Sequence, residues 1–189
     1  MSVLMSLTYF KRYRMEMRLE DFPRKVPALP NGYRCIPWNE SLLEHHAETK
    51  YRCFCYEIDA NVFPCLGERD GCQRLMNEIT RRDNFIPQAT WLMEYCDSEE
   101  TVTYCGTIQG LRDQEGRGAV QNLGMTTSHR GQGLGTILLT HALNGFLQHD
   151  LDRATLEVTA QNSGALRMYQ RFGFQVTKTV YKAAEVAFA

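Results

Sequence analysis

The sequence has no C-x-x-C pair, no unbroken apolar run of membrane length and no surplus of charge of either sign, and each absence removes a class of function. Seven cysteines, at 35, 53, 55, 65, 72, 96 and 105, are an odd number set among apolar residues, so neither a zinc knuckle nor a disulfide framework is expected and the thiols read as reduced and mostly buried. Cys53-x-Cys55 with His45 and His46 is the nearest approach to a ligand cluster, and no metal is expected there. The longest stretch free of Asp, Glu, Lys and Arg runs from Gly131 to His149, and it is interrupted by glycine, glutamine, threonine, histidine and asparagine, so no membrane span is expected. With 21 Lys and Arg against 22 Asp and Glu, the net charge of -1 argues against nucleic acid or an anionic membrane as partner. The opening MSVLMSLTYF has neither a basic n-region nor a small-residue cleavage site, and the chain is expected in the cytoplasm.

What remains is the composition of an ordinary α/β domain: 189 residues, 43% hydrophobic and 23% charged, are enough to bury a core in one domain with an extension. In RYRMEMRLED, Arg12, Arg14, Glu16, Arg18 and Glu20 alternate with Tyr13, Met15, Met17 and Leu19, the period-two pattern of a strand with one wet face. It reads as an added edge or pairing strand. Pro23, Pro27 and Pro30 follow and disfavour helix and ladder alike, which divides the chain into an extension over 1–30 and a main domain over 31–189.

In the main domain the spacing predicts a strand over 33–37, then a helix through Leu42, His46, Lys50 and Phe54 with Asn39 as cap. A break at 58–67 precedes a second helix over 68–82 and a hairpin of 89–96 with 102–111. A strand at 119–125, a glycine-rich loop, a helix from Leu134 to Leu147 and a strand at 154–160 form a crossover unit. Asn162 or Ser163 caps a short helix ending at Gly173, and 174–182 closes the chain as a strand. The order defines an α/β fold on a mixed sheet.

Arg130, Gly131, Gln132, Gly133, Leu134, Gly135 and Thr136 lie between a strand and a helix, where unfinished backbone N–H groups and the helix dipole converge on an anion such as pyrophosphate. No Lys-Ser/Thr pair follows, as a nucleoside-triphosphate loop requires. Downstream, Asn162 to Phe174 reads N-x-x-A-x-x-M-Y-x-x-F-G-F. The two motifs in this order resemble the acetyl-CoA-binding core of the GCN5-related N-acetyltransferases (the GNAT family), over residues 119–176 by motif and 33–182 by element order.

The resemblance implies a GNAT, acyl-CoA N-acyltransferase-like fold. Acetyl-CoA, as co-substrate, would wedge between strands 119–125 and 154–160, with its pantetheine arm along Leu123, Gly124 and Met125 and its pyrophosphate on the loop from Arg130 to Thr136. Asn162 matches a pantetheine contact, although it is also placed to cap the last helix. Thr127, often Pro in the family, and His129, often an aromatic, depart from the pattern.

Acetyl transfer to an amine requires a group that takes the ammonium proton, a donor to the carbonyl oxygen and an acid for the departing thiolate. Tyr169 occupies the family's leaving-thiolate position, and Glu157 is placed like the general base of ribosomal-protein alanine acetyltransferases. Read alone, Tyr169 is also compatible with a core position and Glu157 with a solvated strand face, and Glu94 is a second candidate base. A backbone N–H near Leu123 to Met125 is the expected oxyanion donor. Glu57, Asp59, Glu68 and Asp70 flank the expected acceptor loop and favour a cationic amine. The expectation is an acetyl-CoA-dependent N-acetyltransferase acting on a primary amine of a small molecule, a peptide or protein N-terminus, or lysine. The alternative is a non-catalytic acyl-CoA sensor or interaction module, the alternating strand offering an edge to a second chain, a homodimer included.

Overall fold

The computed structural model describes residues 4–188. Seven strands form one sheet in the order β2-β3-β4-β5-β6-β1-β7. They are β1 (Leu4–Arg18), β2 (Tyr33–Pro37), β3 (Trp91–Cys96), β4 (Val102–Arg112), β5 (Gly118–Met125), β6 (Arg153–Thr159) and β7 (Gln175–Phe188). The helices are α1 (Leu43–Phe54), α2 (Ile58–Val62), α3 (Arg69–Thr80), α4 (Leu134–Gln148) and α5 (Ser163–Phe172). The mixed α/β architecture agrees with the sequence pattern. No helix among the described residues is long and apolar enough to cross a membrane.

Alternation along β4 separates the two layers. Ile108 points into the main core with Leu138 and Phe146 of α4, whereas Thr107 and Gln109 point the other way and meet His46 of α1. Helix α4 is buried around much of its circumference, from Leu134 through Leu138, Ala142 and Phe146, which suits a helix enclosed between the sheet and its own connections. Full burial of one such Leu or Phe contributes about 1.5–3 kcal/mol, so this layer fixes the position of everything attached to α4.

Of the two expectations for the N-terminal strand, edge or pairing, the structure corrects the first. β1 lies inside the sheet, pairing with β6 over Arg12 to Arg18 and with β7 over Leu4 to Glu16. Residues 1–3 of the expected extension lie outside the described residues. Its two faces explain the placement: Met15 and Met17 enter the core, while Arg12, Arg14 and Glu16 find polar partners on the opposite face. Alternation reports that a strand has a dry and a wet face and says nothing of what pairs along its two edges.

The expected break at 58–67 is also more regular than the sequence suggested. Ile58–Val62 is a helical turn, and Pro64–Gly67 follows as a 3-10 turn with Pro at its start, where a missing N–H costs nothing. Asn39 caps a 3-10 turn, Glu40–Leu42, that leads into α1, its side chain accepting from the Ser41 backbone N–H at 2.9 Å.

Candidate active site

Among the described residues, the only parallel neighbours in the sheet are β5 and β6, and their register holds for two pairs, Gly118 with Ala154 and Ala119 with Thr155. Beyond them the strands part. Asn122 sits at φ 49°, and the β4–β5 register shifts between Thr107 and Gln109, so an irregularity in β5 coincides with the parting. Asn is among the residues that tolerate this conformation. At Gly124, α1 comes so close that a Cβ would lie 2.8 Å from both Cys53 Cβ and Phe54 Cε2, which requires glycine. Leu123, Gly124 and Met125 thus run along the open side of the parting, but the Met125 carbonyl already accepts from Arg130 Nε at 3.0 Å.

The glycine loop follows β5 directly. A 3-10 turn, Thr127–His129, leads to Gly131 at φ 76° and to Gly133 at φ 77°, the cap residue of α4. A Cβ at Gly133 would meet no heavy atom within 4 Å, and no side chain caps this helix end. The first-turn N–H groups around Leu134, Gly135 and Thr136 therefore face an open space with the positive end of the helix dipole behind them. His129 is held from the other side, its Nδ1 lying 2.7 Å from the Tyr33 hydroxyl. Gln132 lies between the two left-handed glycines.

Arg130 is turned away from that space. Its Nη1 donates to Glu57 Oε1 at 2.7 Å, its Nη2 to the Cys53 carbonyl at 3.2 Å and its backbone N–H to Thr127. The residue that opens the motif ties the end of β5 to the α1–α2 connection through three of its five guanidinium N–H groups.

A cleft of about 610 Å³ occupies the parting. Leu123, Leu156 and Val158 line it together with Asn162, Ala165 and Tyr169 of α5, and Phe54, Phe63, Leu66 and Leu75 form an apolar wall from the α1–α3 region. Asn162 Oδ1 accepts from the Ala165 backbone N–H at 3.1 Å, so it caps α5 from a position at the cleft. Tyr169 is buried, edge-on to Phe174 at 5.8 Å between ring centroids. Burial, and secondarily the Asp59 carboxylate, push its phenol well above the usual tyrosine range, so it is protonated at neutral pH.

Glu157 reaches the cleft as an ion-paired residue. Its Oε1 accepts from Arg14 at 3.1 Å, and its Oε2 lies 3.7 Å from Arg12 Nε. Arg12 is nearly buried, donates to Thr159 Oγ1 at 2.8 Å and stands 3.5 Å from Asp59 Oδ1. Glu94 is paired with Arg34 across β2–β3 and does not line this cleft. Sequence reasoning did not assign Arg12, Arg14 and Thr159 to the site. The wet face of the alternating segment was the available signal for the two arginines, but only their position beside β6 brings them to the cleft.

An α/β domain whose one parallel strand pair opens above a glycine-capped helix start is the architecture of solved N-acetyltransferases. It superposes on a GCN5-related N-acetyltransferase from Sphaerobacter thermophilus with a TM-score of 0.67 at 20% identity, over 94% of this chain and 51% of that one. On aminoglycoside N-acetyltransferase AAC(6')-Iy in complex with CoA the TM-score is 0.59 at 15% identity, over 81% of this chain and 95% of the other. The acetyltransferase (GNAT) family model matches residues 40–174, and the chain belongs to that family. It is 34% identical over 79 residues to N-alpha-acetyltransferase MAK3 of Arabidopsis thaliana, covering 40% of this chain and 42% of that protein. It is 31% identical over 96 residues to mycothiol acetyltransferase of Acidimicrobium ferrooxidans, covering 50% of this chain and 31% of that protein. The matches span less than half the length of these curated relatives.

Proposed function

We propose that this chain is an acetyl-CoA-dependent N-acetyltransferase that moves the acetyl group to a primary amine by direct attack. The observation that carries the reading is the place of Tyr169, a buried, protonated phenol lining the cleft between the parted strands, within the same architecture as the open glycine-capped start of α4. The loop residues Gly131 to Thr136 fit a pyrophosphate, because their N–H groups border open space and Gly133 has no side chain in the way. The parted strands fit an extended pantetheine arm, since β5 has no ladder to β6 past Ala119. Acetyl-CoA supplies the thioester. Tyr169 would protonate the departing thiolate, backbone N–H groups of β5 would face the carbonyl oxygen, and Arg130 would hold the loop in shape rather than bind phosphate.

Two guanidinium groups, Arg12 and Arg14, balance two carboxylates, Asp59 and Glu157, in the acceptor part of the cleft. Glu157, paired with Arg14 at 3.1 Å, contributes to that balance. The local balance of these four charges favours an amine that is partly neutral by itself: an α-amino group, with pKa about 7.7–8.0, over a lysine side chain at about 10.4. Relatives named as N-alpha-acetyltransferases support the same choice. Seven free cysteines support a reducing compartment such as the cytoplasm.

The test is release of free thiol from acetyl-CoA with a panel of peptides bearing a free N-terminus, N-terminally blocked lysine peptides and small amines. Transfer is expected, fastest to α-amines. Binding of acetyl-CoA with no transfer to any of them would make the chain a sensor instead.

A further inference from the structure

We propose that Asp59, on the short helix α2, is the proton acceptor for the attacking amine, held in place by Thr159 and Arg12. The inference rests on the acetyl-transfer reading and names the group which that reading leaves unassigned.

The geometry separates Asp59 from Glu157. Asp59 Oδ1 accepts from Thr159 Oγ1 at 2.8 Å and faces Arg12 Nη1 at 3.5 Å, so both recorded partners sit on one oxygen. The carboxylate is thereby oriented while Oδ2 stays available to a ligand in the cleft that Asp59 lines. Glu157 has its Oε1 held by Arg14 and its Oε2 3.7 Å from Arg12 Nε, beyond hydrogen-bond reach, and its side chain is 37% exposed against 16% for Asp59. Asp59 is also the charge felt by the Tyr169 phenol, second only to burial, and Glu157 is not among the causes of that shift. The base and the acid of an acyl transfer must act on opposite sides of one carbonyl carbon, and Asp59 lines the same cleft as Tyr169.

Helix α2 is anchored at both ends. Glu57, just before it, binds Arg130, and Phe63, just after it, lies under the guanidinium of Arg12 at 4.8 Å and the ammonium of Lys182 at 4.7 Å. Asp59 is thus fixed between two anchors, on a five-residue helix that would otherwise be too short to hold a side chain in place. The charged groups around it are Arg12 and Arg14 of β1, Glu157 of β6, Lys182 of β7 and the Arg130–Glu57 pair.

The step balances. The ammonium gives one proton to Asp59, and the freed lone pair forms the C–N bond at the thioester carbonyl carbon. The C–S bond breaks with its electron pair on sulfur, and the Tyr169 proton completes the thiol. The surplus proton on the new amide nitrogen restores the phenol, and Asp59 returns its proton to water, so one proton is released per turnover.

Asp59→Asn keeps the shape and the acceptor for Thr159 while removing the base. We expect kcat/KM with an α-amine peptide to fall about 10²-fold at neutral pH, with the acetyl-CoA thermal shift kept. The deficit should shrink as pH passes the pKa of the amine, and should be smaller for amines of lower pKa. Thr159→Val, which leaves the carboxylate but frees it to turn, should cost about 3–10-fold, the size of one hydrogen bond. Glu157→Gln should cost less than Asp59→Asn at every pH. Wild-type rates in Asp59→Asn, a loss independent of pH and of the amine, or a larger, pH-sensitive loss in Glu157→Gln would overturn the assignment while leaving acetyl transfer intact. If Asp59→Asn does not fold, an unchanged rate in Thr159→Val overturns it. A wild-type chain that transfers to no amine overturns the function and the base together.

Discussion

Arg130 Nη1 lies 2.7 Å from Glu57 Oε1, joining the glycine loop to the start of α2 across 73 residues of sequence. The same guanidinium holds the carbonyls of Met125 and Cys53, so one side chain closes a triangle between β5, α1 and α2. Arg130→Ala should lower stability by about 1–2 kcal/mol, a fall of about 2–8 °C in Tm, because three charge-assisted bonds at a half-exposed site are lost. KM for acetyl-CoA should rise as the loop loosens. Calorimetry with and without acetyl-CoA measures both, and an unchanged Tm would show that the triangle carries no strain or support.

Gly133 separates two effects that a loop glycine usually confounds. Gly133→Ala places a methyl in open space but keeps the left-handed φ, so it should cost only about 1–2 kcal/mol and leave acetyl-CoA binding measurable. Gly133→Glu has the same backbone cost and adds a carboxylate where the pyrophosphate is proposed to lie, so the thermal shift by acetyl-CoA should vanish. Equal shifts in the two variants would remove the loop from the binding site.

Tyr169→Phe removes a hydroxyl and leaves the ring against Phe174. Stability and acetyl-CoA affinity should hold, and turnover should fall about 10²-fold, the size of a general-acid contribution. Because burial and then Asp59 raise the phenol, wild-type kcat should show no alkaline decline from this group below about pH 10, the ordinary tyrosine value. A decline near pH 8 that Tyr169→Phe abolishes would contradict the geometry.

Lys50 is wholly buried on α1 and its Nζ has no hydrogen-bond partner. Burial brings its pKa down to about 7, against the opposing pull of the Cys72, Cys65 and Cys53 thiols. From about pH 10.4 down to 7 the unfolded chain takes up a proton that the folded chain refuses, so this lysine costs stability increasingly as pH falls across that window. Lys50→Met should therefore stabilise the protein, by about 1–3 kcal/mol at pH 7, with the gain shrinking toward pH 10. His46 adds a second slope. Burial first, then Lys50 and His45, lower it to about 3, so stability should decline further as pH falls from about 6.5 toward 3. Urea titrations at several pH values decide both, and a gain for Lys50→Met that does not vary with pH would refute the linkage.

The elements around the glycine loop were legible because local rules specify them. Gly173 takes the left-handed φ that its position past the end of α5 calls for, and the helix from Leu134 follows from its apolar spacing. The strand at 12–18 was legible as a strand, but its neighbours β6 and β7 lie more than 130 residues away, and no local pattern encodes that pairing. For the same reason Arg12 and Arg14 read as a solvated face and turn out to line the cleft. α2 escaped notice because five residues carry too little periodicity, with Pro64 and Gly67 following at once.

The interior position of β1 has a consequence for the order in which the protein can assemble. Arg12 bonds Thr159 across 147 residues, so β1, made before β6, cannot pair along that edge until β6 exists, and β7 then docks on its other edge. Loop closure over that distance is among the slowest events available to a chain this size, which places the completion of the sheet late in folding. Since the same strand delivers Arg12 and Arg14 to the cleft, a nascent chain with its glycine loop already formed would still lack that part of the cleft's lining. Of the seven described strands, the first in sequence is the one whose pairing waits for the last two.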